Sequence, residues 1–190
     1  MRKKLFEYDQ ALNTQRSGIY SERRRILEIE NLRDWIIEYA ERSLYDVVIY
    51  IDSAQDEKTK TTALQKVCYL LGIPFKILFE KYEQDELIPY LRQQLQISYT
   101  LKEAEMELVE SGLIRELERS FLLQQIDFSW KEHLQKISFL KDSVGWRAYG
   151  QKNPLTEYKQ EAYNVFVSML VRIRHRVTYF ILRTNIIFDV

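Results

Sequence analysis

From residue 114 to about 144 the apolar residues Ile114, Leu117, Phe121, Ile126, Trp130, Ile137, Leu140 and Val144 recur along drifting stripes three or four positions apart. That is the period of a helix, not the alternation of a strand. The spacing returns after Glu157 in Tyr158, Ala162, Val165, Met169, Ile173, Val177 and Phe180, with a second row at Phe166, Leu170 and Ile181. At 1.5 Å per residue each helix should be roughly 40 Å long. About ten residues, 145–154, separate the two, which predicts an antiparallel helical hairpin with a conspicuous tip.

The first thirty residues carry the same signal. Leu5, Tyr8, Leu12, Ile19 and Ile26 mark one side of a helix, and Arg23, Arg24 and Arg25 crowd the other. Gly18 inside it costs about 1 kcal/mol against alanine, so either packing compensates or another element approaches closely there. The register changes around 28–31, with Asn31 as the N-cap of a second helix through Leu32, Trp35, Ile36, Tyr39, Leu44, Val47 and Val48. The polar run 52–62 reads as a linker. Beyond it the elements shorten: a helix over 63–71, a turn at Gly72-Ile73-Pro74, a helix over 75–82 and a longer one from about Asp85. These shorter elements predict a small helical subdomain.

Composition sharpens this to an all-α fold. The 190 residues hold only 5 Gly and 3 Pro, against roughly 12% combined in average usage, so turn-rich β architecture has little room. The 28 basic and 28 acidic side chains cancel, leaving no bulk charge to attract nucleic acid or an anionic membrane. One cysteine excludes an internal disulfide, and two distant histidines cannot fill a zinc site. The basic start lacks the apolar core of a signal peptide. No apolar run approaches the ~20 residues of a membrane span, so a soluble or at most peripheral chain is expected.

Candidate chemistry is sparse. No glycine-rich loop with Lys-Ser/Thr is present to cradle a phosphate. Cys68 lies among Val67, Tyr69, Leu70 and Leu71 and reads as an inert buried thiol. His133 follows Trp130 without a nucleophile or ligand set beside it and reads as structural. No catalytic, cofactor-binding or metal-binding residue is expected. The runs 23–25 and 172–176 read as solvated basic faces, and a nucleic-acid-binding bundle on the second is the weakest reading. The tip differs, because it places Trp146, Arg147, Tyr149, Gln151 and Lys152 on one glycine-flanked loop, and aromatic and arginine side chains are those that interfaces enrich.

Two blocks of residues resemble a known family, the C-terminal region of SecA, the ATP-driven motor of preprotein translocation. Glu7-Tyr8-Asp9, Asn13, Gln15-Arg16, Ile19-Tyr20 and Arg23 are similar to the start of that family's long scaffold helix. Leu123-Gln124-Gln125-Ile126-Asp127, Trp130-Lys131-Glu132-His133-Leu134, Ser143-Val144-Gly145, Tyr149-Gly150-Gln151-Lys152, Pro154-Leu155 and Glu157-Tyr158-Lys159 are similar to its two-helix finger. The wording around 143–152 looks more like cyanobacterial and plastid members. Trp146 and Asn153 depart from the Leu and Asp usual there.

The resemblance implies a scaffold over 1–52, a helical wing over 53–113, and a two-helix finger over 114–190 returning to the scaffold. It implies that Trp146, Arg147, Tyr149, Gln151 and Lys152 touch a SecY/SecE-type channel and the moving preprotein, and that Glu7, Tyr8, Asn13, Arg16 and Tyr20 dock the SecA motor domains. ATP and magnesium would belong to that motor, since the nucleotide-binding folds, the preprotein-binding domain and the zinc tail are absent from these 190 residues. A homodimer is left open. The implied location is the plastid (chloroplast) stroma with peripheral contact to the thylakoid membrane, or else the bacterial cytoplasm and inner membrane face. The alternative from another class is a stand-alone helical scaffold without ATPase coupling.

Overall fold

A computed structural model describes residues 2–83, 86–147 and 154–184. Among them are seven helices and no strand: α1 Arg2–Glu28, α2 Arg33–Ser53, α3 Glu57–Leu71, α4 Phe75–Glu83, α5 Leu87–Glu107, α6 Leu113–Arg147 and α7 Pro154–Arg183. The all-α expectation holds. Internal contacts divide the chain into two compact units, Met1–Glu30 with Leu122–Ile173, and Asn31–Phe121 with Arg174–Val190. The division falls inside α6 and α7.

The first unit combines α1 with the later part of α6 and the earlier part of α7. Ile137, Leu140 and Val144 of α6 pack with Tyr158 and Ala162 of α7 in one buried cluster, and Ala11 and Leu12 of α1 lie against it. His133 of α6 faces Phe166 of α7, ring centres 5.6 Å apart. Positions on α6 thus meet positions on α7 that fall as the first rise, which is the antiparallel pairing predicted from the two stripes. Gly18 does not mark a close crossing: a Cβ there would meet nothing within 4 Å. Its flexibility is simply tolerated on an open face of a long helix.

The second unit is built on α2 and α5, with α3 and α4 packed beside them. Leu32, Ile36, Ile51, Leu64, Leu78, Leu91, Leu95 and Tyr99 are almost completely buried there. The corner after α3 is set by Gly72, whose φ of +68° is the left-handed conformation only glycine adopts freely. The amides of Gly72 and Ile73 both donate to the Cys68 carbonyl. Pro89 lies in the first turn of α5, where its missing N–H has no helical acceptor to lose.

Several expectations need correction. The polar run 52–62 is no linker but largely the start of α3. Asp56 caps that helix, accepting from the Lys58 and Thr59 amides, and the Thr61 and Thr62 hydroxyls donate to the Glu57 and Lys58 carbonyls. The cap satisfies the first amides, and the apolar face that packs the helix begins only at Ala63, continuing through Leu64, Val67, Cys68 and Leu71. Asn31 acts one position earlier than predicted: Leu32 is the N-cap residue, and Asn31 Oδ1 accepts from the Arg33 amide at 2.9 Å. Of the predicted 145–154 loop, 145–147 continue α6 and Pro154 opens α7; the rest lies outside the described residues, as does Asp85. Near the end of α7, Ile181 of the second row is buried, whereas Phe180 of the first is 38% exposed.

Candidate functional site

Helix α1 presents two sides of different character. Ile19 and Ile26 are buried, while Asn13, Arg16 and Tyr20, at the i, i+3, i+7 spacing of a single helical stripe, face outward. Arg16 Nη1 donates to Asn13 Oδ1 at 3.2 Å, a neighbour pair that fixes the guanidinium along the helix. Tyr20 is 56% exposed and Leu27, on the same stripe, is 50% exposed. Tyr20, Arg24 and Leu27 of α1 line a shallow open groove whose opposite wall is Trp130, Lys131 and Leu134 of α6. An open groove with an aromatic ring, an aliphatic side chain and cations suits protein docking.

Polar contacts that the apolar pattern does not reveal also pin α1 to α6 and α7. Gln15 Nε2 donates to the Ala162 carbonyl of α7 at 3.2 Å, leaving its Oε1 to accept from His133 Nε2 of α6 at 2.8 Å. That arrangement puts the imidazole proton on Nε2. His133 is fully buried, stacks on Trp130 at 5.3 Å and meets Phe166 edge-on. Burial first, then Arg172 and Lys136, push its pKa down to about 4, so it is neutral. Arg23 closes on Asp127 of α6 with both ends of its guanidinium, at 3.0 and 3.5 Å, and Lys141 of α6 reaches Asp9 at 3.3 Å. The 23–25 run is therefore not uniformly a solvated basic face, because its first arginine is committed to the adjoining helix.

The 172–176 run is tied inward as well. In the first unit Arg172 lies 4.0 Å from Glu132. In the second, Asp46 of α2 takes Arg174 and, at 3.3 Å, His175, and Ser43 and Thr178 share a buried hydroxyl contact at 3.3 Å. Arginines held by carboxylates on neighbouring helices do not present the free cationic face that nucleic acid requires.

A further polar cluster in the second unit was missed from sequence. Glu118 of α6 is completely buried and accepts from the Tyr99 hydroxyl and from Arg115, whose Nη1 lies 2.8 and 3.0 Å from its two oxygens. Arg115 also reaches Glu103, which pairs with Arg33 of α2 at 3.4 Å. Burial and the Glu118 carboxylate raise the Tyr99 pKa well above the usual phenol value, fixing it as a donor. The only signal was the Arg115-x-x-Glu118 spacing; the partners on α5 and α2 are too distant in sequence to read.

Other predicted site residues are located only in part. Glu7 and Tyr8 lie in α1, and Trp146 and Arg147 end α6, but their side chains are outside the described residues. Tyr149, Gln151 and Lys152 are outside them altogether. Cys68 is buried, with burial raising its thiol pKa. Among the described residues no group of three or more His, Cys, Asp or Glu could hold a metal, and no helix is long and apolar enough to cross a membrane.

A family model described as the SecA Wing and Scaffold domain matches residues 1–185. Relatives named protein translocase subunit SecA include one from Emiliania huxleyi, 58% identical over 99% of this chain and 22% of the relative's length. Another from Antithamnion sp. is 44% identical over 100% of this chain and 22% of its own. A third, from Trichormus variabilis, is 43% identical over 94% and 20%. The chain spans about a fifth of the length of these curated relatives. With a paired-helix hairpin in the first unit and a family match that runs through both units, the chain belongs to the SecA wing and scaffold domain family.

Proposed function

We propose that this chain is the helical wing and scaffold portion of a protein-translocating ATPase of the SecA kind, coupling ATP hydrolysis in motor domains outside it to movement of preproteins through a SecY/SecE-type channel. Within it, 1–52 serves as scaffold, 53–113 as wing and 114–190 as a two-helix finger. ATP and magnesium are held by the motor. The motor docks on the outward stripe of α1 at Asn13, Arg16 and Tyr20, extended toward Glu7 and Tyr8, and the finger presents Trp146, Arg147, Tyr149, Gln151 and Lys152 to channel and preprotein. Relatives from algae and cyanobacteria favour the plastid stroma beside the thylakoid membrane as its place.

The observation that carries the reading is the outward stripe itself. Asn13, Arg16 and Tyr20 contribute nothing to the buried side of α1, which Ile19, Ile26 and Gln15 form, so their side chains are free to meet another protein. The test places a photo-crosslinking residue at position 20, and separately at 149, and adds motor domains, channel and a stalled preprotein with and without ATP. Position 20 should capture the motor, and position 149 the channel or preprotein in a nucleotide-dependent way. Cross-links confined to the chain, or indifferent to motor and channel, would refute the coupling and leave a stand-alone helical scaffold.

A further inference from the structure

In the first unit, α6 and α7 bring several buried polar atoms to one level of their shared seam. Ser129 and His133 stand one turn apart on α6, and both are completely buried. The Nε2 proton of His133 goes to Gln15, so its Nδ1 carries a lone pair that needs a donor. From α7, Arg172 comes within 4.0 Å of Glu132 through Nη2, too far for a direct hydrogen bond. Ser129 Oγ, His133 Nδ1, Arg172 Nε and Arg172 Nη2 are all buried, and none meets a hydrogen-bonding group among the described residues. Their convergence follows from the pairing of the helices. Phe166 faces His133, so Arg172, further along the antiparallel α7, stands roughly a turn and a half before His133 on α6. Helical side chains lean toward the N-terminus of their own helix. Arg172 therefore leans toward the level of His133 and His133 toward that of Ser129, and the two meet between them.

We propose that this node binds a water molecule and that the water ties α6 to α7 in a single axial register. The inventory of groups selects the ligand. The Arg172 N–H groups and the Ser129 hydroxyl can donate, while His133 Nδ1 can only accept. One water completes that set: it accepts from Arg172 and Ser129 and donates to His133, the complement of about three hydrogen bonds usual for buried water. A halide has no proton to give Nδ1, and a metal cation would face the Arg172 guanidinium. Buried polar atoms left bare are costly, so the node favours the one helix offset that closes it. The apolar contacts around it do not make that choice. Ile137, Leu140 and Val144 pack with Tyr158 and Ala162, but apolar burial is non-directional and fixes which faces meet rather than how far one helix has slid along the other. A single polar layer inside an apolar seam is the feature that penalises other registers.

Oxygen-17 magnetic relaxation dispersion on the full chain tests the ligand, because it counts waters held longer than the protein tumbles and is blind to exchanging hydroxyl protons. Arg172→Leu, which withdraws the donors and puts aliphatic atoms in their place, should lower that count by one water. Lys159→Leu, which removes a cation from the exposed side of α7, should leave it unchanged. Register is read by pulsed electron resonance between spin labels at Phe139 of α6 and Tyr163 of α7, which are 75% and 61% exposed, in a Cys68→Ser background. The native node should give one narrow distance, and Arg172→Leu should broaden it or add a second one displaced by up to a helical turn, about 5 Å. A water count that Arg172→Leu does not change would overturn the proposal. So would a distance that stays narrow and unmoved once the water is lost, or chloride-35 line broadening that Arg172→Leu abolishes, which would make the ligand an ion. Should Arg172→Leu not fold, Ser129→Val fills the node from α6 and takes its place.

Discussion

Acidification should weaken the first unit through His133. In the folded chain the imidazole is buried beside Gln15, with Arg172 on α7 and Lys136 on its own helix disfavouring a second proton; its pKa is about 4. Unfolded, it returns to about 6.5. The folded state thus binds fewer protons between these values, so the stability His133 confers is complete above about pH 6.5 and is lost as pH falls toward 4. Two-state linkage over that interval gives a loss of about 2 kcal/mol by pH 5, rising toward about 3 below pH 4. That is a large part of the 5–15 kcal/mol typical of a folded chain. Urea unfolding followed by tryptophan fluorescence, at about pH 7.5 and about pH 5, measures it for the native chain and for His133→Gln. Trp130 stacks on the imidazole and reports locally. The variant will be weaker overall, having lost its ring contacts, but its fall between the two pH values should be about 2 kcal/mol smaller. Equal falls in both proteins would refute the reading that the imidazole is held neutral.

Glu118→Gln keeps the shape but removes the charge from a fully buried acceptor of Tyr99 and Arg115; a loss of about 2 kcal/mol is expected, which calorimetry would register as a fall in Tm of about 4–8 °C. A shift under about 1 °C would show that Arg115 finds Glu103 sufficient. Phe121→Ala removes a half-buried ring stacked on Phe180 with centres 5.6 Å apart. Because Phe180 is itself partly exposed, the cost falls to about 1.5–3 kcal/mol, below the 3–5 of a fully buried ring. Urea unfolding decides it, and a loss below about 0.5 kcal/mol would remove the stack.

Helices were legible wherever apolar residues kept step: α1, α6 and α7 follow from their stripes, and Gly72 and Pro74 marked the corner between α3 and α4. Where helix formation rests on polar groups the pattern was silent. The first turn of α3 has no apolar stripe, and the signal there is the Asp56 cap, whose carboxylate takes the otherwise unpaired Lys58 and Thr59 amides. Buried polar residues were opaque for a related reason. His133 needs Gln15, Glu118 needs Tyr99, and Asp46 needs Arg174; each pair is remote in sequence, and nothing local distinguishes such a residue from a solvated one. The α1 stripe was legible only through resemblance, since exposed Asn, Arg and Tyr at helical spacing are common on any surface.

The two amides that share the Cys68 carbonyl give the corner after α3 a behaviour of its own. Neither proton is shielded by a private acceptor, so both are released to solvent when that one oxygen is uncovered. Hydrogen exchange at Gly72 and Ile73 is therefore tied to a single opening event. Two consecutive residues outside any helix become one clock, whose rate reads how often the end of α3 frays.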